Sequence, residues 1–541
     1  MWKIYQFLFL CILIGSCTSG EPPNVVTGTR GQILHLGNGT EPQGLDPHLI
    51  TGVQEHRIVS ALLEGLVSKN PATLAPEPGV AEQWFVSDDN RTYTFKLRNN
   101  ARWSNGDAVT AQDFIYSWKR VLMPRLGSQY AYMLFYIKNA EQFYNGDITD
   151  FKKVGITAID DYTLQVELKQ PTPFFLQLLD QPIYYPVHRK TIEKYGAMDE
   201  RGTRWTRAGN FVGNGPFTLK EWVLNRIIIV KKNPDYWDAE SVRLNAIHFY
   251  PIDSITTEER MFRAGQLHVT NDVPTQKIEI YKKEHPEYLH ISPYLGTYFY
   301  NLNTTIPPLD DARVRKALAM SINREQIVKN ITKGGQIPAY TLTPPDTNGY
   351  TAPAAFEYDI DGARKLLAEA GYPGGKNFPE LTLLYNTSEG HRQIATAIQQ
   401  MWKTALNIDI SLENQDWKVY LDNQRTMNYQ ISRASWIGDY LDPNTFLELY
   451  VSNGGNNRTG WSNPRYDKLI AQAANTQNQQ QRYAVFMEAE KILMNEMPII
   501  PIYTYSNVYL ISPDVKGWYS NILNYRAYKY IYLSSSNEKT D

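Results

Sequence analysis

Strand-like and helix-like segments alternate along the whole chain, and that alternation confines it to the α/β class. Ile33 to Leu36 is a short strand. Tyr93 to Leu97 and Tyr162 to Leu168 alternate apolar and polar side chains, as half-buried strands do. Ile227 to Val230 is apolar throughout, a buried-strand pattern. Asn105-Gly106 is a turn signal, and Thr110-Ala-Gln-Asp113 reads as a capping box opening a helix through Phe114, Trp118 and Val121. Asp311 caps a helix carrying Val314, Leu318 and Ile322. Ala363 to Ala370 is a helix stopped by Gly371, and Gln393 to Leu406 and Arg465 to Ala474 read similarly. No internal repeat and no low-complexity block interrupts the pattern.

The N-terminus sets the compartment. Met1-Trp2-Lys3 carries one positive charge, Ile4 to Ile14 is almost wholly apolar, and Ile14-Gly15-Ser16 brings small residues up to Cys17. That order is a secretory signal, too short to span a bilayer as a helix of about 20 residues. The small residues before Cys17 resemble the bacterial lipobox, which implies acylation of Cys17 and a lipid-anchored protein of the periplasm or cell envelope. Thr18 to Thr27 then reads as a polar tether.

The chain has 541 residues and 2 Cys, Cys11 and Cys17. Nothing beyond residue 17 can form a disulfide, so the core must carry the stability, in roughly two or three domains. A net charge of -2 excludes a nucleic-acid partner. The 37 Tyr and 12 Trp suit a binding surface as well as a core.

No reaction announces itself. There is no Gly-x-Ser-x-Gly elbow, Walker loop, Gly-x-Gly-x-x-Gly turn or His-Glu-x-x-His pair. The 9 His are scattered, so neither a metal nor another cofactor is expected. Cysteine nucleophiles are excluded with Cys11 and Cys17. Asp160-Asp161 and Asp310-Asp311 sit where turns and helix caps want carboxylates. The expectation is a binding protein and not an enzyme.

One stretch is highly specific: Leu97-Arg98-x-x-Ala101-x-Trp103-Ser104-Asn105-Gly106-x-x-Val109-Thr110-Ala111-x-Asp113-Phe114. It resembles the signature of the large peptide-, dipeptide- and nickel-binding proteins of ABC importers (solute-binding family 5). Pro76 to Trp84 and Asp311 to Arg324 also resemble that family. Leu45-Asp46-Pro47-His48, Pro293-Tyr294-Leu295, Pro338-Ala339-Tyr340, Leu384 to Ser388 and Arg433 to Tyr440 favour its oligopeptide-binding branch. The resemblance implies an α/β fold of the periplasmic-binding-protein type II (class C): two lobes hinged on two crossing strands, with an additional domain on the first. The boundaries it implies are 1–17 signal with lipobox, 18–30 tether, 31–64 lobe I, 65–188 extra domain, 189–295 lobe I again, 296–505 lobe II and 506–541 the last part of lobe I. It further implies a monomer that takes a short peptide and works with ABC permease and ATPase subunits, touching the membrane only through its lipid.

The resemblance also implies a site. A peptide of variable sequence must be held by its invariant parts: ammonium, backbone and carboxylate. Asp439 matches the aspartate that grips the ammonium. Val53 and Ser435 to Ile437 match positions that bind peptide backbone, as an added strand would be bound. Tyr130 matches a tyrosine near the ammonium, and Trp417 and Trp436 match pocket walls. Asn271 and Tyr505 match further lining positions. Gln424-Arg425 stands where relatives often carry an Arg-His pair, so Arg425 is expected to meet the peptide carboxylate, with His391 as another partner. Thr51 and Asn301 replace two pocket glutamates, which disfavours basic peptide side chains. Gly296 and Ile437 occupy the positions of the relatives' disulfide.

Three alternatives stay open. A cell-wall muropeptide carries a free amino group that the same Asp439 would hold. A hydrolase would need a nucleophile or acid pair in the cleft, and an adhesion lipoprotein would bind without lobe closure. A nickel or haem ligand has no His or Met cluster behind it.

Overall fold

The computed structural model describes residues 23–535; the signal segment and Cys17 lie outside them. Three sheets organise the chain. The first has four strands in the order Ile33–Gly37, Ala246–Tyr250, Ile227–Lys232 and Phe217–Val223, with the first pair parallel. The second is antiparallel, ordered Ala81–Val86, Thr92–Leu97, Thr163–Glu167 and Ile156–Asp160. Its alternation is real: Tyr93, Phe95 and Leu97 point inward and are buried. The third is mixed, with six strands ordered Ile337–Pro338, Ile499–Leu510, Leu289–Leu302, Ile431–Ile437, Leu381–Asn386 and Ile410–Gln415.

Two apolar cores account for most of the buried area. One runs through the first two sheets, from Leu34 to Phe249, and includes Trp103, Trp118 and Trp205. The other lies around the six-stranded sheet and holds Tyr298, Tyr300 and Trp402. Helices Ala312–Met320, Glu389–Leu406 and Gln479–Glu496 cover that sheet with apolar stripes. The capping box is present: Thr110 and Asp113 bond reciprocally at the start of Ala111–Val121. Asp311 caps the next matched helix by accepting from Arg313 N, and Asp160 accepts from Tyr162 N in a turn. Both carboxylates are structural.

The two halves are joined by the strands Leu289–Leu302 and Ile499–Leu510. They pair from Leu289 with Leu510 to Pro293 with Ser506, lose register, and resume from Thr297 with Thr504 to Asn301 with Ile499. Tyr294, Leu295 and Gly296 fill the gap. Leu295 N–H instead donates to Ile522 O, and its carbonyl accepts from Gly438 N. A bulged crossing is a natural place for two bodies to pivot.

The expected tether differs from the structure. Asn24–Gly31 is a helix, begun just after Pro23 and ended by Gln32 in the left-handed conformation. Val25 N donates to Gly265 O, and the Gln32 side-chain amide donates through Nε2 to Leu533 O and accepts at Oε1 from Leu533 N. Local polarity read as a spacer, whereas docking on the first sheet makes residues 24–31 part of the globule.

Candidate functional site

A cavity of about 410 Å³ lies between the six-stranded sheet and the other half of the molecule. That is within the roughly 300–1,000 Å³ usual for small ligands. Val53, Tyr130, Asn271, His391, Trp417, Ser435, Trp436, Ile437, Asp439 and Tyr505 all line it, as do Thr51 and Asn301. Sequence positions more than 450 residues apart, Thr51 and Tyr505, meet because two lobes face one another here.

Asp439 follows the strand Ile431–Ile437. Its backbone is fixed from both sides: Asp439 N donates to Thr445 Oγ1 at 3.0 Å, and its carbonyl accepts from Gln181 Nε2 at 2.6 Å. Its carboxylate is treated differently. Oδ2 is sealed from solvent and has no hydrogen-bond partner. Burial first, and then the nearby Glu448, push the carboxyl up to about 8, opposed by Lys69. An unpaired buried carboxylate is costly unless something supplies the missing charge. Tyr130 and Trp436 stand beside it with ring centroids 5.9 Å apart, an aromatic wall next to an anion.

The strand next to it offers backbone. Ser435 pairs with Tyr298 and Trp436 with Thr297 on one side. On the other side Leu381–Asn386 pairs only with Ile431 and Ser432. From Ala434 to Ile437 that edge meets no strand among the described residues, so it can accept an extended chain by strand addition. Trp417 closes the far wall; its ring stacks on Tyr420 at 5.6 Å, and its Nε1 donates to Glu55 across the cleft at 3.2 Å.

The cationic end departs from expectation. Arg425 does not line the cavity; it lies on an exposed helix face and pairs with Asp422 at 2.6 Å. Helix geometry explains this: successive residues point about 100° apart, so Gln424 enters the cleft and Arg425 leaves it. The guanidinium groups in the cleft are Arg433 and Arg458, among others. Arg433 donates to Tyr505 Oη at 2.8 Å and to Asn386 Oδ1 at 3.3 Å, while its Nε has no partner. His391 stands near it, and burial together with Arg433 holds the imidazole well below its ordinary range. At neutral pH His391 is therefore an uncharged donor or acceptor and not a second cation. Arg433 belongs to the Arg433 to Tyr440 stretch, so a signal for it existed. Arg458 had none.

Hydrogen bonds cross between the halves around this cavity. Tyr136 Oη donates to Glu448 at 2.8 Å, Leu441 N to Gln177 at 3.3 Å, and Arg458 to Gln129 at 2.9 Å. Tyr440 stacks on Phe174 at 4.9 Å.

Comparison with known proteins places this geometry. The model of bacterial extracellular solute-binding proteins, family 5 (middle), matches residues 75–458. The periplasmic oligopeptide-binding protein OppA of Escherichia coli (strain K12) is 39% identical over 511 residues, 92% of each chain. The periplasmic murein peptide-binding protein MppA of the same organism is 40% identical over 520 residues, 94% of each. A solved structure of that murein tripeptide-binding protein superposes with a TM-score of 0.89, at 39% identity, covering 93% of this chain and 98% of the other. Its unliganded open form, of equal identity and covering 93% and 97%, superposes at only 0.63. The fold is thus the two-lobed α/β architecture of periplasmic binding proteins, in an arrangement unlike that open form.

Proposed function

The chain belongs to the bacterial extracellular solute-binding proteins of family 5, and on that premise we propose that it captures short peptides between two closing lobes and delivers them to an ABC permease. The carboxylate of Asp439 carries this reading: its Oδ2 is sealed and without a hydrogen-bond partner, and it sits at the end of a free strand edge. A peptide ammonium supplies the missing charge, the edge Ala434–Ile437 binds its backbone, and Arg433 meets its carboxylate in place of Arg425. We set the lobe boundaries at 295/296 and 505/506, and the loss of register between the two long strands there supports a hinge. Acylation at Cys17 anchors the monomer to a membrane surface. The contrast between the two superpositions, and the hydrogen bonds across the cleft, support closure as the capturing motion. The cleft's chemistry is recognition without reaction, in line with the binding proteins it resembles, and the protein is a binder rather than a hydrolase.

Calorimetry with trialanine tests the assignment. Asp439→Asn is expected to lose most of the affinity while keeping the fold, and N-acetylation of the peptide to do the same to the wild type. Unchanged affinity in either arm removes Asp439 from its role. A muropeptide ligand is a second reading, favoured by the 40% identity to the murein peptide-binding protein. Competition between L-Ala-γ-D-Glu-diaminopimelate and trialanine discriminates the two.

A further inference from the structure

Arg458 comes from the loop after Tyr450 and reaches the cleft wall beside the ammonium site. Its two terminal nitrogens are held by amide oxygens: Nη1 donates to Gln424 Oε1 at 2.8 Å and Nη2 to Gln129 Oε1 at 2.9 Å. It pairs with no carboxylate among the described residues. The amides come from opposite halves of the molecule, and they aim the guanidinium without neutralising it. Its neighbours are phenols: Tyr130, Tyr420, Tyr429 and Tyr450 all lie within its electrostatic reach. Tyr130 feels both Asp439 and Arg458, so the two opposite charges share one aromatic neighbour. The backbone of Arg458 is pinned separately, because Tyr429 Oη donates to its carbonyl. Gly455 in the same loop lies so close to Gln129 that a Cβ there would stand 3.1 Å from the Gln129 carbonyl carbon, so the loop is seated firmly.

Gln424 enters the cleft from its helix together with Trp417, Tyr420 and Leu421, and none of the four brings a charge. The cation of this wall arrives instead from residue 458. Thr51 and Asn301 line the same cavity and add no carboxylate. A basic side chain entering beside Tyr130 would meet Arg458, and with Asp439 engaged by the ligand ammonium an acidic one would find an oriented fork that no carboxylate of the chain already occupies.

Resting on the peptide-capture reading, we propose that Arg458 is a specificity-determining residue that receives an acidic side chain near the amino end of the ligand, so that this protein prefers acidic peptides. Gln424 and Gln129 are its positioning residues. Because Gln129 and Gln424 sit on opposite lobes, the fork is fully aimed only when the lobes have closed.

The experiment measures affinities by calorimetry for two matched pairs, Glu-Ala-Ala against Gln-Ala-Ala and Ala-Glu-Ala against Ala-Gln-Ala, with Ala-Lys-Ala as a further competitor. At least one Glu peptide is expected to bind about tenfold or more tightly than its Gln twin, and Ala-Lys-Ala to bind weakest. Arg458→Gln is expected to bring each pair to equality while leaving the Gln peptides within about threefold of wild type, and Arg458→Lys to keep part of the preference. If Arg458 only straps the lobes together, all peptides weaken in parallel and the Glu-to-Gln ratio survives in Arg458→Gln; that result overturns the proposal. Equal binding of each pair to the wild type overturns it too, while leaving peptide capture intact. Failure of every peptide to bind the wild type overturns the capture reading, and this one with it.

Discussion

Asp439 and Asp442 are three residues apart and live in opposite circumstances. Asp442 is buried and receives both arms of Arg482, at 2.6 and 2.8 Å, with Asn444 N adding a third bond at 2.9 Å. Asp439 is sealed as deeply at its Oδ2 and receives nothing there. One carboxylate is finished within the fold, and the other is left for something to complete. The contrast separates a carboxylate satisfied within the fold from one whose sealed oxygen has no partner, without appeal to any relative.

Substitution gives the largest test of that contrast. Asp442→Ala strands the buried Arg482 and is expected to cost about 3–5 kcal/mol of stability, read as a fall in unfolding midpoint. Asp439→Asn is expected to cost no stability, yet to reduce peptide affinity by a similar energy, at least a hundredfold. If the two variants melt alike, the distinction fails.

Acidity is the second test. The Asp439 carboxyl is held up to about 8 in the empty cleft, against an ordinary value near ~4 in an unfolded chain. Its contribution to the stability of the empty form is therefore full below about pH 4 and is lost as pH rises to about 8. The stability difference between wild type and Asp439→Asn should decline over that window, which denaturant titrations at several pH values measure. Ammonium capture needs the ionised carboxylate, so peptide binding near neutrality should release protons, and affinity should rise with pH. Calorimetry in two buffers of unlike ionisation heat reads the released proton; none released by the wild type contradicts the assignment.

Smaller effects sharpen the cationic end. Arg433→Met should cost about 2 kcal/mol in binding for free-carboxylate peptides and almost nothing for their C-terminal amides. Arg425→Ala should change stability by less than ~1 kcal/mol and binding not at all, because its pair with Asp422 is exposed.

Much of this was legible locally. The capping box at Thr110, the Asp311 cap and the alternating strand at Tyr93 depend on neighbours a few residues away, so the sequence states them directly. The place of Asp439 in the cleft was legible because a whole motif surrounds it. Arg425 was misplaced because adjacent residues on a helix leave in different directions, and motif matching carries no direction. Arg458 was invisible: its partners, Gln424 and Gln129, are remote in sequence and uncharged, and no spacing rule joins them. The helix Asn24–Gly31 was missed for a similar reason, since its stability comes from docking on distant Gly265 and Leu533.

Gly296 and Ile437 face each other in register where the long strand Leu289–Leu302 pairs with Ile431–Ile437. The Ile437 Cδ1 methyl fills the space a Gly296 Cβ would need. Where the resemblance implies a covalent staple, this chain has a methyl laid over a bare backbone. With thiols only at positions 11 and 17, maturation of everything beyond residue 17 is blind to the oxidation state around it. Such a globule can be made, unfolded and remade in the presence of reductant with nothing to reshuffle.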